Sequence, residues 1–351
     1  MSSRAEEATE GLVGLCRACA GAPHERLFPI GAYAVHECQS CGLVFLNPQP
    51  PDEVLANVYS AGDSLESGAG ELEEKLSTIK RRAARLHVAA IARYGGPERG
   101  RVLDVGCGRG EFLLEAAARG FEVWGVDVSP AAVQIANARL GREAVRCSTI
   151  AEAGFPSGHF DVGVCINVLE HVRDPVGHLS ELRRVIKRNG VLLLVTPTLD
   201  SWLARLMKSR WFEFKTEHLY YFSTETLHNI LARGGFEALE MSPARKILTL
   251  EYLYYRFRQY PVRGWSTLVA GAWRMAPRAI RNRQFALAMG NTAVLGRPGV
   301  EHARPVVSVI MPVYNEQRTV ATVVETLIAK KLDCIEKEII IVEGNSSDGS
   351  R

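Results

Sequence analysis

Val102-Leu-Asp-Val-Gly-Cys-Gly-Arg-Gly110 decides the fold of this chain. A short apolar run carries Asp104, three glycines then alternate with other residues, and a helical pattern from Glu111 to Arg119 follows. A strand that enters a Gly-rich turn at a helix start lets a ligand approach the backbone closely. Working outward, the pattern repeats as strand Glu122 to Val126, helix Pro130 to Leu140, strand Val162 to Ile166, helix Pro175 to Ile186 and strand Val191 to Val195. Such alternation predicts an α/β domain with a mostly parallel sheet and helices on both faces. A helix from Ser223 to Ala232, for which Ser223 can supply the N-cap, and strands Phe236 to Glu240 and Asn291 to Leu295 extend it.

Asp127 ends the second strand, where a carboxylate can accept both ribose hydroxyls of a bound nucleoside. A dinucleotide site would need Gly-x-Gly-x-x-Gly, yet Glu111 stands three positions beyond Gly108, where its charge would face a pyrophosphate. These residues resemble the class I S-adenosylmethionine-dependent methyltransferases over about 99 to 299. The resemblance implies a Rossmann-like methyltransferase sheet. It places Asp104 at the methionine end of the cofactor, Gly106, Gly108 and Gly110 beneath it, Asp127 at the ribose, and Thr149 and Ile150 at the adenine, where many relatives carry an acid near Thr149. Phe160 to His171 is similar to the fourth strand and its active-site edge, and Arg184 to Val195 to the helix, turn and strand that close the core.

Cys16-x-x-Cys19 and Cys38-x-x-Cys41 are spaced so that two knuckles converge on one structural Zn²⁺, with His24 and His36 between them as weaker substitutes. Residues 11 to 50 are too few to fold on burial alone and are expected to form a zinc ribbon. Cys38 to Pro48, together with Glu217-His-Leu-Tyr-Tyr-Phe-Ser223, resemble the zinc-ribbon methyltransferases of sugar and cell-surface glycan pathways. The other four cysteines, Cys107, Cys147, Cys165 and Cys334, stand singly in strand-like segments and read as reduced, buried thiols. Residues 51 to 98 read as a helical connector. Within it, Leu72, Leu76, Ile79, Ala83, Leu86 and Ala90 make one apolar face that should pack on the following domain.

A methyl sulfonium leaves as a neutral thioether, so the enzyme has mainly to align the acceptor and exclude water. For a hydroxyl acceptor a histidine base is suited to neutral pH, and His171 and His218 are the candidates against a purely structural role for both. Glu170 either orients His171 or caps the local backbone, and Tyr220 and Tyr221 either line the acceptor pocket or join the core.

Charge is unevenly spread along the 351 residues, whose formal net charge is +3. Residues 1 to 60 carry three Arg against seven acids, 3 − 7 = −4, whereas 246 to 283 carry eight Lys/Arg against one Glu, 8 − 1 = +7. The acidic ribbon argues against nucleic acid as a partner. The 247 to 285 insertion, aromatic and basic, admits three readings: a lid, a packed hairpin, or an amphipathic patch on an anionic membrane surface. Packing or a lid is the preferred pair. The polar, acidic N-terminus and the lack of an apolar run of about 18 residues predict a cytoplasmic protein, held peripherally at the inner membrane surface only if the patch reading holds.

Val306 to Glu316 and Ile339 to Ser350 resemble the opening of a family-2 glycosyltransferase, although Glu343 is followed by Gly344 where that family usually has paired acids. A strand-helix-strand unit over 304 to 351 cannot bury a core, so the sequence reads as a fragment of a bifunctional protein or the remnant of a broken gene. The functional expectation is methyl transfer to a sugar, glycolipid or related small polar acceptor. An RNA methyltransferase and a non-catalytic scaffold in a glycan-assembly complex are the alternatives.

Overall fold

The computed structural model describes residues 14–19, 21, 23–55, 57, 71–93, 96–259, 264–299, 306–314, 316–329, 336–343 and 347. It divides into two units, Met1–Pro298 and Gly299–Arg351.

The first unit is built on a seven-stranded sheet. Its strands are β4 (Arg101–Val105), β5 (Glu122–Asp127), β6 (Val145–Cys147), β7 (Phe160–Ile166), β8 (Ile186–Pro197), β10 (Phe236–Leu248) and β11 (Phe285–Pro298). Their order is β10-β11-β8-β7-β4-β5-β6. The pairs β4/β5, β4/β7, β5/β6 and β7/β8 are parallel, and β11 runs antiparallel to both its neighbours. Strand order reverses between β4 and β7, and open α/β sheets bind ligands outside the carboxyl ends of their strands at such a point. The last two strands are longer than the sequence pattern indicates, because Arg245–Leu248 pairs with Phe285–Ala288 beyond the core to carry the helical insertion.

Side chains alternate across the sheet. Val102, Val162, Val164 and Leu193 face one core with helices α1 (Glu71–Arg93), α2 (Glu111–Ala117) and α3 (Pro130–Leu140). Leu103, Cys165, Leu192 and Leu194 face the other with α4 (Pro175–Val185) and α6 (Thr224–Arg233). Local signals set the helix ends. Ser129 caps α3 by accepting from the Ala132 amide ahead of Pro130, Gly141 stops it in the left-handed region, and Ser223 with Thr226 forms a capping box on α6.

Helix α1 packs on α2 as expected, but through a neighbouring stripe. Ala84, Val88 and Ile91 are buried, whereas Ile79, Ala83 and Leu86 are only partly so; the side chains of Leu72 and Leu76 lie outside the described residues. Arg81 and Arg85 fix that rotation by pairing with Glu115 of α2 at 3.1 and 2.8 Å. Cys107 and Cys165 are buried as anticipated, but Cys147 is exposed because it closes the short edge strand β6; Cys334 lies outside the described residues.

The cysteine-bearing segment folds as β1 (His24–Ile30), β2 (Tyr33–Cys38) and β3 (Val44–Leu46). Its sheet gains a fourth strand from the α/β domain, β9 (Tyr220–Tyr221), through the pairs Val44↔Tyr221 and Phe45↔Tyr220. Cys16, Cys38, Leu43 and Phe45 share a core with Leu219, Tyr220 and Phe222. Tyr220 and Tyr221 are therefore core residues, their hydroxyls donating to the carbonyls of Arg173 and Lys215.

Between β8 and β9 lies the short helix α5 (Trp202–Met207). The insertion between β10 and β11 forms α7 (Leu250–Gln259), α8 (Trp265–Met275) and α9 (Arg278–Arg281). In the second unit, β12 (Val306–Val313) pairs in parallel with β13 (Glu336–Glu343), and α10 (Val320–Ala329) lies between them in sequence. Ile310, Ile328, Ile341 and Val342 are exposed there. Most of the Gly344 to Ser350 motif lies outside the described residues.

Candidate active site

The turn after β4 is fastened to β5 by its backbone. The amides of Gly106 and Cys107 donate to the Val126 carbonyl at 2.8 and 3.2 Å. Gly108 donates to Asp127 Oδ2 at 2.8 Å, and Ser129 donates to Asp127 Oδ1 at 2.9 Å. Each carboxylate oxygen has a lone pair left over, which suits a pair of vicinal hydroxyls. A Cβ on Gly106 would lie 2.3 Å from Val168 of the loop after β7, so only glycine lets the two loops meet. Gly108 has φ +52°, and a Cβ there would meet nothing within 4 Å, leaving a bare backbone shelf for a ligand.

Asp104 lies at the back of that shelf, 3% exposed. Burial, together with the nearby charges of Asp127 and Glu111, pushes its carboxyl well above the usual range. Asp104 and Asp127 together suit a cation, and a ligand carrying an ammonium and a sulfonium would return Asp104 to its ionised form. Glu111 does not point at the turn. It pairs with Arg139 of α3 at 2.9 Å, and Arg139 also donates to the Arg109 carbonyl. The charge conflict expected of Glu111 with a pyrophosphate is therefore muted, and the buried Asp104 is the stronger discriminator.

Ser148 donates its amide to the Asp127 carbonyl at 3.1 Å, which brings Thr149 and Ile150 beside Asp127. Thr149 has an acidic partner three residues on. Glu152 accepts from the Thr149 amide at 3.1 Å and from its hydroxyl at 2.8 Å. Thr149 thus caps a local turn, and Ile150, buried, supplies an apolar wall.

Across the strand reversal a second group gathers. His171 and His218, 47 positions apart in sequence, meet edge-on with ring centroids 4.7 Å apart. With Glu170 they bring potential ligand atoms within 4.8 Å of one another, a spacing that a single hydroxyl or cation can bridge. His171 Nδ1 lies 2.8 Å from the Glu217 carbonyl. A carbonyl can only accept, so Nδ1 carries the proton and Nε2 the lone pair. Burial holds His171 down at about 4, and burial with the charges of His171 and Lys215 holds His218 well below its ordinary value. Both are neutral at pH 7.

The Glu170 carboxylate is turned to Thr196. Its Oε2 accepts from Thr196 Oγ1 at 2.9 Å, Oε1 is buried without a hydrogen-bond partner, and burial pushes the group up to about 7. Asn167, Asn291, Glu213, Lys215 and Lys246, which the sequence does not single out, complete this edge. Asn167, in the left-handed region at φ 53°, accepts from Asn291 Nδ2 at 2.7 Å. Burial would raise the Glu213 carboxyl, but Lys246 and Lys215, at 2.9 and 3.2 Å, hold it well below the usual carboxylate range. Buried Asn291 Oδ1 and His218 Nδ1, like Glu170 Oε1, have no hydrogen-bond partner. Unpaired buried polar atoms are costly, and two of these, on Glu170 and His218, belong to the one cluster that also holds His171. The only local hint in the sequence was the Asn after β7, a residue that tolerates left-handed backbone.

In the ribbon, Cys16 and Cys41 sulfurs lie 3.5 Å apart and those of Cys19 and Cys38 3.6 Å. Four thiolates around one Zn²⁺ stand about 3.8 Å apart, the edge of a tetrahedron with Zn–S near 2.3 Å. Amides of Ala18 and Gly21 donate to Cys16 and Cys19 at 3.4 and 3.3 Å, the contact that stabilises a thiolate. The donor set fits zinc. His24 and His36 stand apart from it, their Nδ1 atoms 3.0 Å from each other and their rings against Phe45.

A Gly turn thus follows the first parallel strand, and a buried histidine pair lies beyond β7. Residues 76–241 match the family model of the methyltransferase domain, and residues 308–351 match that of glycosyl transferase family 2. The chain therefore carries an S-adenosylmethionine-dependent methyltransferase domain, followed by a family-2 glycosyltransferase-like segment. Among curated relatives, the ubiquinone biosynthesis O-methyltransferase of Alkalilimnicola ehrlichii is 40% identical over 107 residues, 29% of this chain and 43% of the relative. A probable S-adenosylmethionine-dependent methyltransferase of Mycolicibacterium smegmatis is 36% identical over 99 residues, 27% of this chain and 37% of the relative. The chain thus spans less than half the length of these relatives. In fold it is similar to a putative methyltransferase from Bacillus halodurans, with 18% identity, TM-score 0.44, and coverage of 61% of this chain and 99% of that one.

Proposed function

We propose that the protein transfers a methyl group from S-adenosylmethionine to a hydroxyl oxygen, with His171 as general base and His218 as its positioning partner. The convergence of Glu170, His171 and His218 at the carboxyl edge of the sheet, just after β7, carries this reading. Bound S-adenosylmethionine supplies an electrophilic methyl on a positive sulfonium. Asp104 neutralises cationic charge, Asp127 and the Gly108 backbone orient the nucleoside, and Ile150 gives the adenine an apolar wall. The Glu217 carbonyl fixes the His171 tautomer so that Nε2 can accept the hydroxyl proton as the C–O bond forms. Asn167 and Asn291 hold the acceptor, and the buried setting excludes water.

The acceptor in this reading is a sugar, glycolipid or related polar hydroxyl compound, supported by the family-2 glycosyltransferase-like segment on the same chain. A lipophilic phenol is the second reading, favoured by the names of the O-methyltransferase relatives and by the apolar cavity between Phe212, Leu248 and Met289. Zinc on Cys16, Cys19, Cys38 and Cys41 is a structural part of the proposal, in the reducing cytoplasm where free thiolates persist. Radiolabelled methyl transfer from S-adenosylmethionine to pools of sugar nucleotides, lipid-linked glycans, phenols and RNA tests it. Label in the glycan pools, lost in His171→Ala, is expected. Label in RNA alone, or in no pool while cofactor still binds, would overturn the acceptor assignment.

A further inference from the structure

Helix α8 is eleven residues long, carries a single charge, Arg274, and buries none of its residues; α9 buries none either. Yet the hairpin is ordered internally. Trp273 stacks on Tyr254 of α7 with centroids 4.3 Å apart and lies under Arg281 at 4.2 Å, and Ser266 Oγ donates to the Phe257 carbonyl at 3.1 Å. The residues that point away from this stack are large and apolar. Trp265, Leu268, Met275 and Ile280 are exposed, Leu268 by 66% and Met275 by 86%. A helix that folds against its neighbour and leaves its apolar side in water is waiting for an apolar surface.

Charge identifies that surface. From Tyr252 to Val300 the chain has eight Arg and no Asp or Glu. Arg258, Arg274, Arg278 and Arg283 are exposed on the hairpin that bears the apolar residues. Aromatic and aliphatic side chains rimmed by arginines match the boundary between acyl chains and anionic headgroups. Eleven helical residues extend only about 16 Å, half of a hydrocarbon core, so the helix would lie in the surface. Among the described residues no helix is long and apolar enough to cross a membrane. We infer that helices α7, α8 and α9 form an in-plane anchor that seats Trp265, Leu268, Met275 and Ile280 in an anionic phospholipid surface.

The anchor would also bring substrate chemistry within reach. Beneath α7 lies the apolar cavity walled by Phe212, Leu248, Tyr252, Leu253, Phe257 and Met289. Lys246, at its edge, pairs with Glu213 of the acceptor group. An acceptor with an apolar tail could pass from the lipid surface along that wall to the histidine pair.

Co-sedimentation of the full chain with vesicles tests the inference, using phosphatidylcholine alone and phosphatidylcholine mixed with phosphatidylglycerol. Binding to the anionic vesicles alone is expected, weakened by salt. Leu268→Asp with Met275→Asp, and separately Arg274→Glu with Arg283→Glu, should each lower the partition coefficient by about tenfold or more. S-adenosylmethionine affinity, read on the same samples, should not change, so a failed anchor and a failed cofactor site are told apart. Absence of wild-type binding, or binding by either double variant as strong as that of wild type, overturns the anchor. So does a solution dimer that Leu268→Asp with Met275→Asp dissociates, which would assign the face to a second copy of the chain.

Discussion

The turn that runs from Asp104 to Ser129 is secured by its own amides, whereas the histidine cluster across the sheet draws on Asn167, Thr196, Glu213, Lys246 and Asn291, from five separate segments. The first edge can be built by one strand-turn-helix-strand unit. The second exists only after β7, β8, β9, β10 and β11 have come together. In the proposed reading, cofactor binding therefore sits in contiguous sequence, while the acceptor side is spread over the whole domain.

His171→Ala should test the contrast most severely. If this imidazole is the base, kcat should fall by roughly 10²- to 10⁴-fold with cofactor affinity unchanged in calorimetry; a smaller loss would reduce it to packing. Asp104→Asn should act on the other edge alone, weakening S-adenosylmethionine by about 3 kcal/mol or more, since a buried charge loses its partner. An unchanged affinity would end the cationic-shelf account. Asp127→Ala should cost roughly 1.5 to 3 kcal/mol of cofactor binding, the range for hydrogen bonds to a charged group, and leave acceptor KM alone.

The smallest effect should appear in the pH dependence of melting. Glu170 is raised to about 7, so the stability it contributes is present below its unfolded value near 4.3 and is lost as pH rises through 7. His171, His87 and His178, lowered to about 4 by burial, act oppositely. Their contribution is present above the unfolded value near 6.5 and is lost as pH falls through 4. Glu170→Gln removes one of the opposed slopes, and its Tm should climb more steeply between pH 5 and 7 than that of wild type, by a few degrees. Parallel curves would place the Glu170 proton elsewhere.

The sheet, its helices and the cofactor turn were legible because period and glycine placement are local properties. So was His171 as a candidate, since it stands just after a predicted strand, whereas His218 drew notice within the Glu217 to Ser223 segment. What the sequence hid was rotation and partnership. Helix α1 has adjacent alanines at 83 and 84 and again at 89 and 90, so two stripes look equally apolar, and the pairing of Arg81 and Arg85 with Glu115 chooses between them. Asn291 was hidden for another reason. A polar residue opening a strand carries no sign of the Asn167 that lies 2.7 Å away and 124 residues earlier.

Strand β9 is two residues long, but it is held by the ribbon on one side, through Val44 and Phe45, and leads directly back to His218 on the other. Leu219 also donates its amide to the Glu170 carbonyl at 2.8 Å and accepts from Leu46. The ribbon consequently cannot be trimmed away or exchanged like a cassette. Whoever transplants this α/β domain into another protein must carry residues 16 to 46 with it, or redesign the segment that presents the histidine.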